Sequence, residues 1–473
     1  MEPKPSSCAG CPLETNGRGF AHPEGPIEAD ICLVGEALGS QEAREGKPFV
    51  GQAGAILNRV LGMMDHDRAR YRIGNIISCQ PPNDWLVNSP WEHGAINHCA
   101  RHRIKLSGHK VYVTLGVTAT RVLVDQRGTP YAGKIEDWQS YVVGDGPYVI
   151  PTFHPAYIMR GNQKLTGAFI HALLKANEIA QRGFTRSEVD LVVDPDPQWF
   201  DAWAATVFDT ENCWLAVDIE TPGKALDESE VVEALWTGCS ITRINFATGP
   251  RQGITVPWDP RYLTTIKRLL LTPFPKIFWN ERFDVPILTE AGCAIGGPIM
   301  DGMWAWHILQ SALPRGLGFV APFYSDLPPW KHLGVVDPGP YAALDAVQTF
   351  RCMEGIAHDL QAAQQWDTFI NHVVKFDAQV LHPAEQIGLR LDPDRLRQFH
   401  SELQKRQDEL FDEIQNAVPP DFKPLVGGWK RPPSPDKHPN AIAMTVTETV
   451  KVCTDCGEID VNTRHRCKKD RRK

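Results

Sequence analysis

Short apolar runs that stop at a glycine or polar residue, each followed by helix-spaced apolar positions, recur from Ile31 to Gln181. Ile31-Cys32-Leu33-Val34 ends at Gly35, and Ala53 to Met64 carries helical spacing. Val111-Tyr112-Val113-Thr114-Leu115 precedes a helix predicted from Val117. Tyr148-Val149-Ile150 leads into Thr152-Phe153-His154-Pro155, before a helix predicted over Asn162 to Gln181. Strand-then-helix alternation of this kind predicts an α/β domain on a parallel sheet, with ligand sites at the C-terminal ends of the strands.

The polar stretch from Gly183 to Pro197 marks a boundary, and a second α/β unit follows. Trp214 to Glu220 is predicted as a strand, Ser240 to Phe246 as its hairpin partner and Lys276 to Trp279 as a further strand. From Tyr341 onward helices dominate, the longest from about Asp394 to Val418, while residues 419–445 are rich in Pro, Gly and Lys and predict loop. The expected domains are residues 1–184, 185–365, 366–420 and a tail of 421–473. No internal repeat is visible.

A chain of 473 residues can bury two or three separate cores. No apolar run is long enough for a membrane helix, and Met1-Glu2-Pro3-Lys4-Pro5 lacks the features of a secretory signal, so no membrane partner and a cytoplasmic location, bacterial or in a phage-infected host, are expected. The net charge of −8 argues mildly against nucleic-acid binding, but it is unevenly spread. Basic and acidic residues nearly balance over 1–184, the middle is acidic, and residues 464–473 are dense in Lys and Arg. An acidic domain can still meet a phosphate backbone when divalent cations lie between them.

Of the 12 cysteines, Cys8 and Cys11 form a C-x-x-C pair that Cys79 and Cys99 could complete as a four-thiolate cage. Spacing alone leaves zinc and iron–sulfur both open. Cys32, Cys213, Cys239, Cys293 and Cys352 lie in apolar or mixed runs and read as small buried hydrophobes.

Two glycine-rich stretches follow the first strand: Gly35-Glu36-Ala37-Leu38-Gly39, then Gly46-Lys47-Pro48-Phe49-Val50-Gly51-Gln52-Ala53-Gly54. Such loops let backbone N–H groups approach a ligand closely. Asn75, in Gly74-Asn75-Ile76-Ile77-Ser78-Cys79, and His154-Pro155 stand at later strand ends, so an aromatic ring, an amide and an imidazole can converge on a planar base. In these motifs residues 8–160 resemble the family-four uracil-DNA glycosylases. The resemblance implies a uracil-DNA glycosylase-like domain with a four-iron, four-sulfur (4Fe-4S) cluster on Cys8, Cys11, Cys79 and Cys99. It implies that Phe49 stacks on a flipped uracil, that Asn75 reads its edge and that Glu36 belongs to the uracil-binding loop. Glu42 would help place the water, and His154 would stabilise charge on the departing base. Leu38 departs from the family's loop proline, and Asp84 stands where the family often carries an amide.

Asp218 and Glu220 are two apart in a predicted strand and so share a face. Asn280 and Asp284 are four apart at a helix start, and Tyr341 and Asp345 repeat that spacing. Each pattern alone is weak. In this order they resemble the proofreading 3′→5′ exonuclease of family A DNA polymerases, of the DEDDy type, which implies a ribonuclease H-like fold over roughly residues 186–360. Four converging carboxylates repel unless cations neutralise them, and two divalent ions can clamp both oxygens of phosphodiester hydrolysis. The resemblance implies that Asp218, Glu220, Asp284 and Asp345 hold two Mg²⁺ or Mn²⁺ ions and that Tyr341 orients the attacking water. Single-stranded 3′ ends and uracil-containing DNA are the implied partners.

Leu381 to Asp392 and the long charged helix after it resemble the entry to a family A polymerase thumb, and the order of segments resembles the front half of certain bacteriophage DNA polymerases. No palm motifs follow, so no polymerase activity is expected from this chain alone, and a separate palm subunit is the expected partner. Cys453, Cys456, His465 and Cys467 have the ligands for a small Zn²⁺ knuckle, weighed against a basic tail suited to single-stranded DNA. The rival to an enzyme is a DNA-binding accessory half of a split polymerase, one that senses uracil without excising it.

Overall fold

The computed structural model describes residues 4–103, 108–211, 213–222, 241–388, 392–417, 451–452 and 459–460. Cys453, Cys456, His465 and Cys467 lie outside these, so the zinc expectation falls on undescribed residues. Residues up to Glu385 form one compact unit, and those from Gln386 a second.

The first sheet of the larger unit has four parallel strands: β1 (Ile31–Ala37), β2 (Arg72–Ile77), β3 (Val111–Leu115) and β4 (Tyr148–Thr152). Their order across the sheet is β2-β1-β3-β4. Every residue of β3 is buried, as an interior parallel strand covered by helices on both faces requires. The chain leaves β1 toward β2 on one side, and β3 lies on the other. The crevice beyond the ends of β1 and β3 is therefore the switch point at which such sheets hold ligands.

The second sheet comprises β5 (Asp190–Val193), β6 (Leu215–Glu220), β7 (Arg243–Gly249), β8 (Gln252–Pro257), β9 (Lys276–Phe278) and β10 (Ile299–Asp301), in the order β10-β9-β6-β7-β8-β5. β6, β7 and β8 form an antiparallel meander, with β9 parallel to β6 and β10 parallel to β9. Three antiparallel strands followed by two parallel ones on the far side of the first is a ribonuclease H-like order. β5, drawn from the polar stretch after Gly183, adds itself in parallel to β8 at the edge. The helix Pro338–Ala362 packs on the face of β5 to β8, burying one long side between sheet and neighbouring helices.

The two sheets share a core. One buried apolar cluster runs from Ile31, Val113 and Phe169 through Tyr141 and Trp330 to Ala216, Val347 and Phe350. Polar bonds cross the same seam: the Tyr141 hydroxyl donates to the Gly318 carbonyl at 2.9 Å and Lys175 Nζ to the Pro322 carbonyl at 2.9 Å. The outer face of each sheet has its own cluster, around Leu215, Ile244 and Ile266 in one case and Val34, Ile76 and Leu123 in the other. Beyond the second sheet the chain is helical, ending among the described helices with Pro393–Ala417. No described helix is long and apolar enough to cross a membrane.

Candidate functional site

At the C-terminal ends of the first sheet's strands lies a cavity of about 570 Å³, whose lining includes Glu36, Glu42, Phe49, Asp84 and His154. Phe49 sits in a left-handed turn (φ 51°) with its ring buried. That turn needs Gly54, where a β-carbon would come 1.9 Å from the Phe49 carbonyl oxygen. Arg68 holds the loop from outside, donating to the Pro48 carbonyl at 2.7 Å and the Phe49 carbonyl at 3.2 Å, and pairing with Glu24 at 2.9 Å. The Phe49 and His154 rings stand 6.0 Å apart.

Asn75 comes from β2, opposite Gly35 of β1, and is buried. Its Oδ1 has no hydrogen-bond partner within the protein, an arrangement that costs stability unless a ligand satisfies it. His154 Nδ1 accepts the Ala156 backbone N–H at 3.2 Å, which puts the ring proton on Nε2. Burial, reinforced by the Arg160 charge, lowers the imidazole pKa to about 4, so the ring is a neutral donor near pH 7. Burial raises the Glu42 carboxyl above its usual range, although backbone N–H groups of Gly39, Phe49 and Gly51 partly oppose this. Glu36 is engaged differently: its carboxylate accepts the Thr118 hydroxyl at 2.5 Å, bridging the ends of β1 and β3. Asp84, with φ 54°, accepts from Gln80 Nε2 at 2.8 Å.

The iron–sulfur expectation is corrected. Among the described residues, one group of His, Cys, Asp or Glu brings its ligand atoms all within 4.8 Å of one another, and it contains no cysteine. Cys8, Cys11, Cys79 and Cys99 are buried, and three of them, Cys11, Cys79 and Cys99, belong to the apolar cluster around Leu13, Ile76 and Ile96. Burial, opposed by the Lys4 charge and reinforced by the neighbouring thiols, pushes the Cys79 thiol up to about 12. Cys11, Cys79 and Cys99 thus serve as small apolar residues of that cluster.

The carboxylate group is Asp218, Glu220 and Asp345. Asp218 and Glu220 alternate with buried Val217 and Ile219 on β6, and Asp345 projects from the helix Pro338–Ala362, with Tyr341 one turn earlier. Asn245, paired with Asp218 in the β6–β7 register, donates Nδ2 to Asp218 Oδ2 at 2.7 Å. Asp284 is not part of the 4.8 Å group; from the first turn of the helix Glu281–Glu290 its Oδ1 accepts the Ile219 N–H at 3.1 Å. That turn is set by Asp301, which accepts the Glu281 backbone N–H at 3.0 Å and the Asn280 backbone N–H at 3.2 Å.

Burial and mutual repulsion push Asp218 well above the usual carboxylate range, and burial with the Asp345 charge raises Glu220 to about 7. A site so averse to its own negative charge is one that cations stabilise, and carboxylate oxygens this close suit the bond lengths of roughly 2.1 Å that Mg²⁺ takes. A protein cation already faces it. Lys331 Nζ donates to Asp345 Oδ1 at 2.7 Å and reaches the Tyr341 hydroxyl at 3.4 Å, while Trp330 Nε1 donates to the same Asp345 oxygen at 2.7 Å. Burial works against the Lys331 charge, but Asp345, Asp218 and Glu220 carry its pKa above the ordinary lysine value. Neither Trp330, Lys331, Arg68 nor Thr118 was expected from sequence, since each lies outside any recognisable motif.

The profile of the uracil DNA glycosylase superfamily matches residues 22–177. A type-4 uracil-DNA glycosylase of Thermotoga maritima is 36% identical over 156 residues, covering 32% of this chain and 78% of that protein. A DNA polymerase I of Synechocystis sp. is 26% identical over 144 residues, covering 28% of this chain and 15% of that protein. Among solved structures, Escherichia coli RNase D is similar at 14% identity and a TM-score of 0.28, covering 38% of this chain and 46% of that one. Through its first sheet and the loops around the pocket, the chain belongs to the type-4 uracil-DNA glycosylase family.

Proposed function

We propose that this chain processes DNA at two sites, excising uracil at the first sheet and trimming 3′ ends by metal-dependent phosphodiester hydrolysis at the second. The observation that carries the nuclease half is the meeting of Asp218 and Glu220 with Asp345, from far along the chain, one helical turn from Tyr341. Asp218, Glu220 and Asp345, with Asp284 beside them, would hold divalent ions, which when bound neutralise charge and make water more acidic. Asp218 is oriented by Asn245, Asp345 by Trp330 and Lys331, and Tyr341 is the group we assign to orienting water.

At the first site, the unpartnered Asn75 Oδ1 supports recognition of a base edge bearing an N–H donor, with Phe49 stacking on the ring. Glu42 is assigned to holding water. As the bond from sugar to base breaks and the base departs with the electron pair, the neutral His154 Nε2–H donates to its oxygen, a contribution whose loss commonly costs on the order of 100-fold in rate. The helices after residue 366 we read as a thumb-like segment, and a palm-bearing polymerase subunit as a partner; the relative named DNA polymerase I supports that context.

The test is a labelled oligonucleotide carrying one uracil, incubated with Mg²⁺ or with a chelator. Shortening from the 3′ end that requires metal reports the nuclease. Alkali-sensitive breaks at uracil that survive chelation report excision. Tight binding with neither product refutes both activities and leaves a uracil-sensing module.

A further inference from the structure

The ammonium of Lys331 makes contacts that a surface ion pair does not. It bonds Asp345 Oδ1 at 2.7 Å, lies 3.4 Å from the Tyr341 hydroxyl and stands 5.1 Å from the centre of the Tyr341 ring. One charge thus links the carboxylate of the acidic group to the phenol one turn before it. Asp345 Oδ1 receives two donors at once, the second from Trp330, whose side chain is fully buried.

The loop that presents this lysine is wedged against the first sheet's half of the molecule. Trp330 packs edge-on to Tyr141 (6.2 Å between centroids), and His332 stacks on Trp138 (5.6 Å, 24°). The Tyr141 hydroxyl fixes Gly318, where a β-carbon would press to 3.3 Å from Lys331 Cγ. Residues 330–332 are thus gripped on both sides of Lys331 by aromatic side chains of the uracil-pocket half. Nothing in the uracil reading calls for this.

We propose that Lys331 is a positioning residue of the acidic centre, an internal cation that ties Asp345 to Tyr341, competes with divalent metal for the carboxylates, and is held in place by Trp138 and Tyr141. The proposal rests on the nuclease reading given above. Its physical basis is simple. A fixed positive charge within hydrogen-bond distance of a metal-binding carboxylate weakens cation uptake, yet keeps repelling carboxylates in register when no ion is bound. Removing the charge should therefore move two observables in opposite directions: affinity for metal rises, and turnover falls.

The experiment measures Mn²⁺ binding to the full chain by electron paramagnetic resonance of free Mn²⁺, beside 3′-shortening kinetics, for the wild type, Lys331→Met, Lys331→Arg and Tyr141→Phe. Lys331→Met is expected to bind Mn²⁺ roughly 10-fold more tightly while kcat falls about 10-fold or more and KM stays within about 3-fold. Lys331→Arg should return affinity and kcat toward wild type. Tyr141→Phe, which deletes only the hydroxyl bonded to Gly318, should shift both observables the same way by a smaller factor, and it serves in place of Lys331→Met should that variant fail to fold. Unchanged or weaker Mn²⁺ binding in Lys331→Met, with wild-type protein binding Mn²⁺ and shortening DNA, overturns the proposal and leaves the nuclease reading standing. Wild-type protein that neither binds Mn²⁺ nor shortens DNA overturns both.

Discussion

Gly35 faces Asn75 across the β1–β2 register so closely that a β-carbon at position 35 would come 2.3 Å from Asn75 Oδ1 and 2.5 Å from the Phe49 ring. The missing side chain is the space between the amide and the aromatic ring. Gly35→Ala should close it, cutting uracil excision by about 100-fold or more while overpacking costs roughly 1–3 kcal/mol of stability. Single-turnover excision and a thermal melt check both effects, and activity within a few-fold of wild type would refute this use of the gap.

Arg68 is the external clasp of the Phe49 turn, with carbonyl, amide and carboxylate partners on one guanidinium. Arg68→Ala leaves these without a donor and should cost about 1–3 kcal/mol, with excision reduced mainly in kcat. Lysine should not rescue it, because an ammonium lacks the planar fork that meets several acceptors together. Urea unfolding and steady-state kinetics of both variants distinguish these outcomes.

His154 ties stability to pH. Its folded pKa of about 4 lies below the value near 6.5 of the unfolded chain, so between these the unfolded chain binds a proton that the folded ring refuses. Stability is therefore complete above about pH 6.5 and falls as the pH drops toward 4. Half-buried His171, lowered to about 3, acts in the same direction. His154→Asn should lose less stability than wild type between pH 7.5 and 5, by on the order of 1 kcal/mol after allowance for solvent at the pocket mouth. Equal losses would contradict an imidazole held neutral in the folded chain.

Metal removal should separate the two sites. A chelator is expected to abolish 3′ shortening and leave uracil excision intact, and Asp345→Asn to lower shortening by about 100-fold or more without affecting excision. Parallel loss of both activities in Asp345→Asn would indicate general unfolding instead, which circular dichroism would reveal.

Periodicity made much of this readable. The apolar runs of β1, β3 and β4 announced a parallel sheet, and the alternation of Val217 and Ile219 with Asp218 and Glu220 set two carboxylates on one face of β6. The helix expected from Asp394 spans Pro393–Ala417. Lys331 and Trp330 gave no such signal, because they arrive from a loop whose placement depends on contacts with Tyr141 and Trp138, remote in sequence. The cysteines misled for a related reason. A thiol in a C-x-x-C serves equally as metal ligand and as small apolar filler, and spacing does not distinguish the two. Glu36 lines the pocket, but its tie to Thr118 depends on β3 lying beside β1, which only the folded sheet reveals.

The apolar seam through Tyr141 and Trp330 has a bearing on how this protein can be dissected. Severing the chain near Gly183 would expose the aromatic side chains of that seam on both fragments, so neither piece should express as a well-behaved protein. Calorimetry of residues 1–385 should give one endotherm, and the two halves, whatever their separate ancestries, would be inherited, melted and lost together.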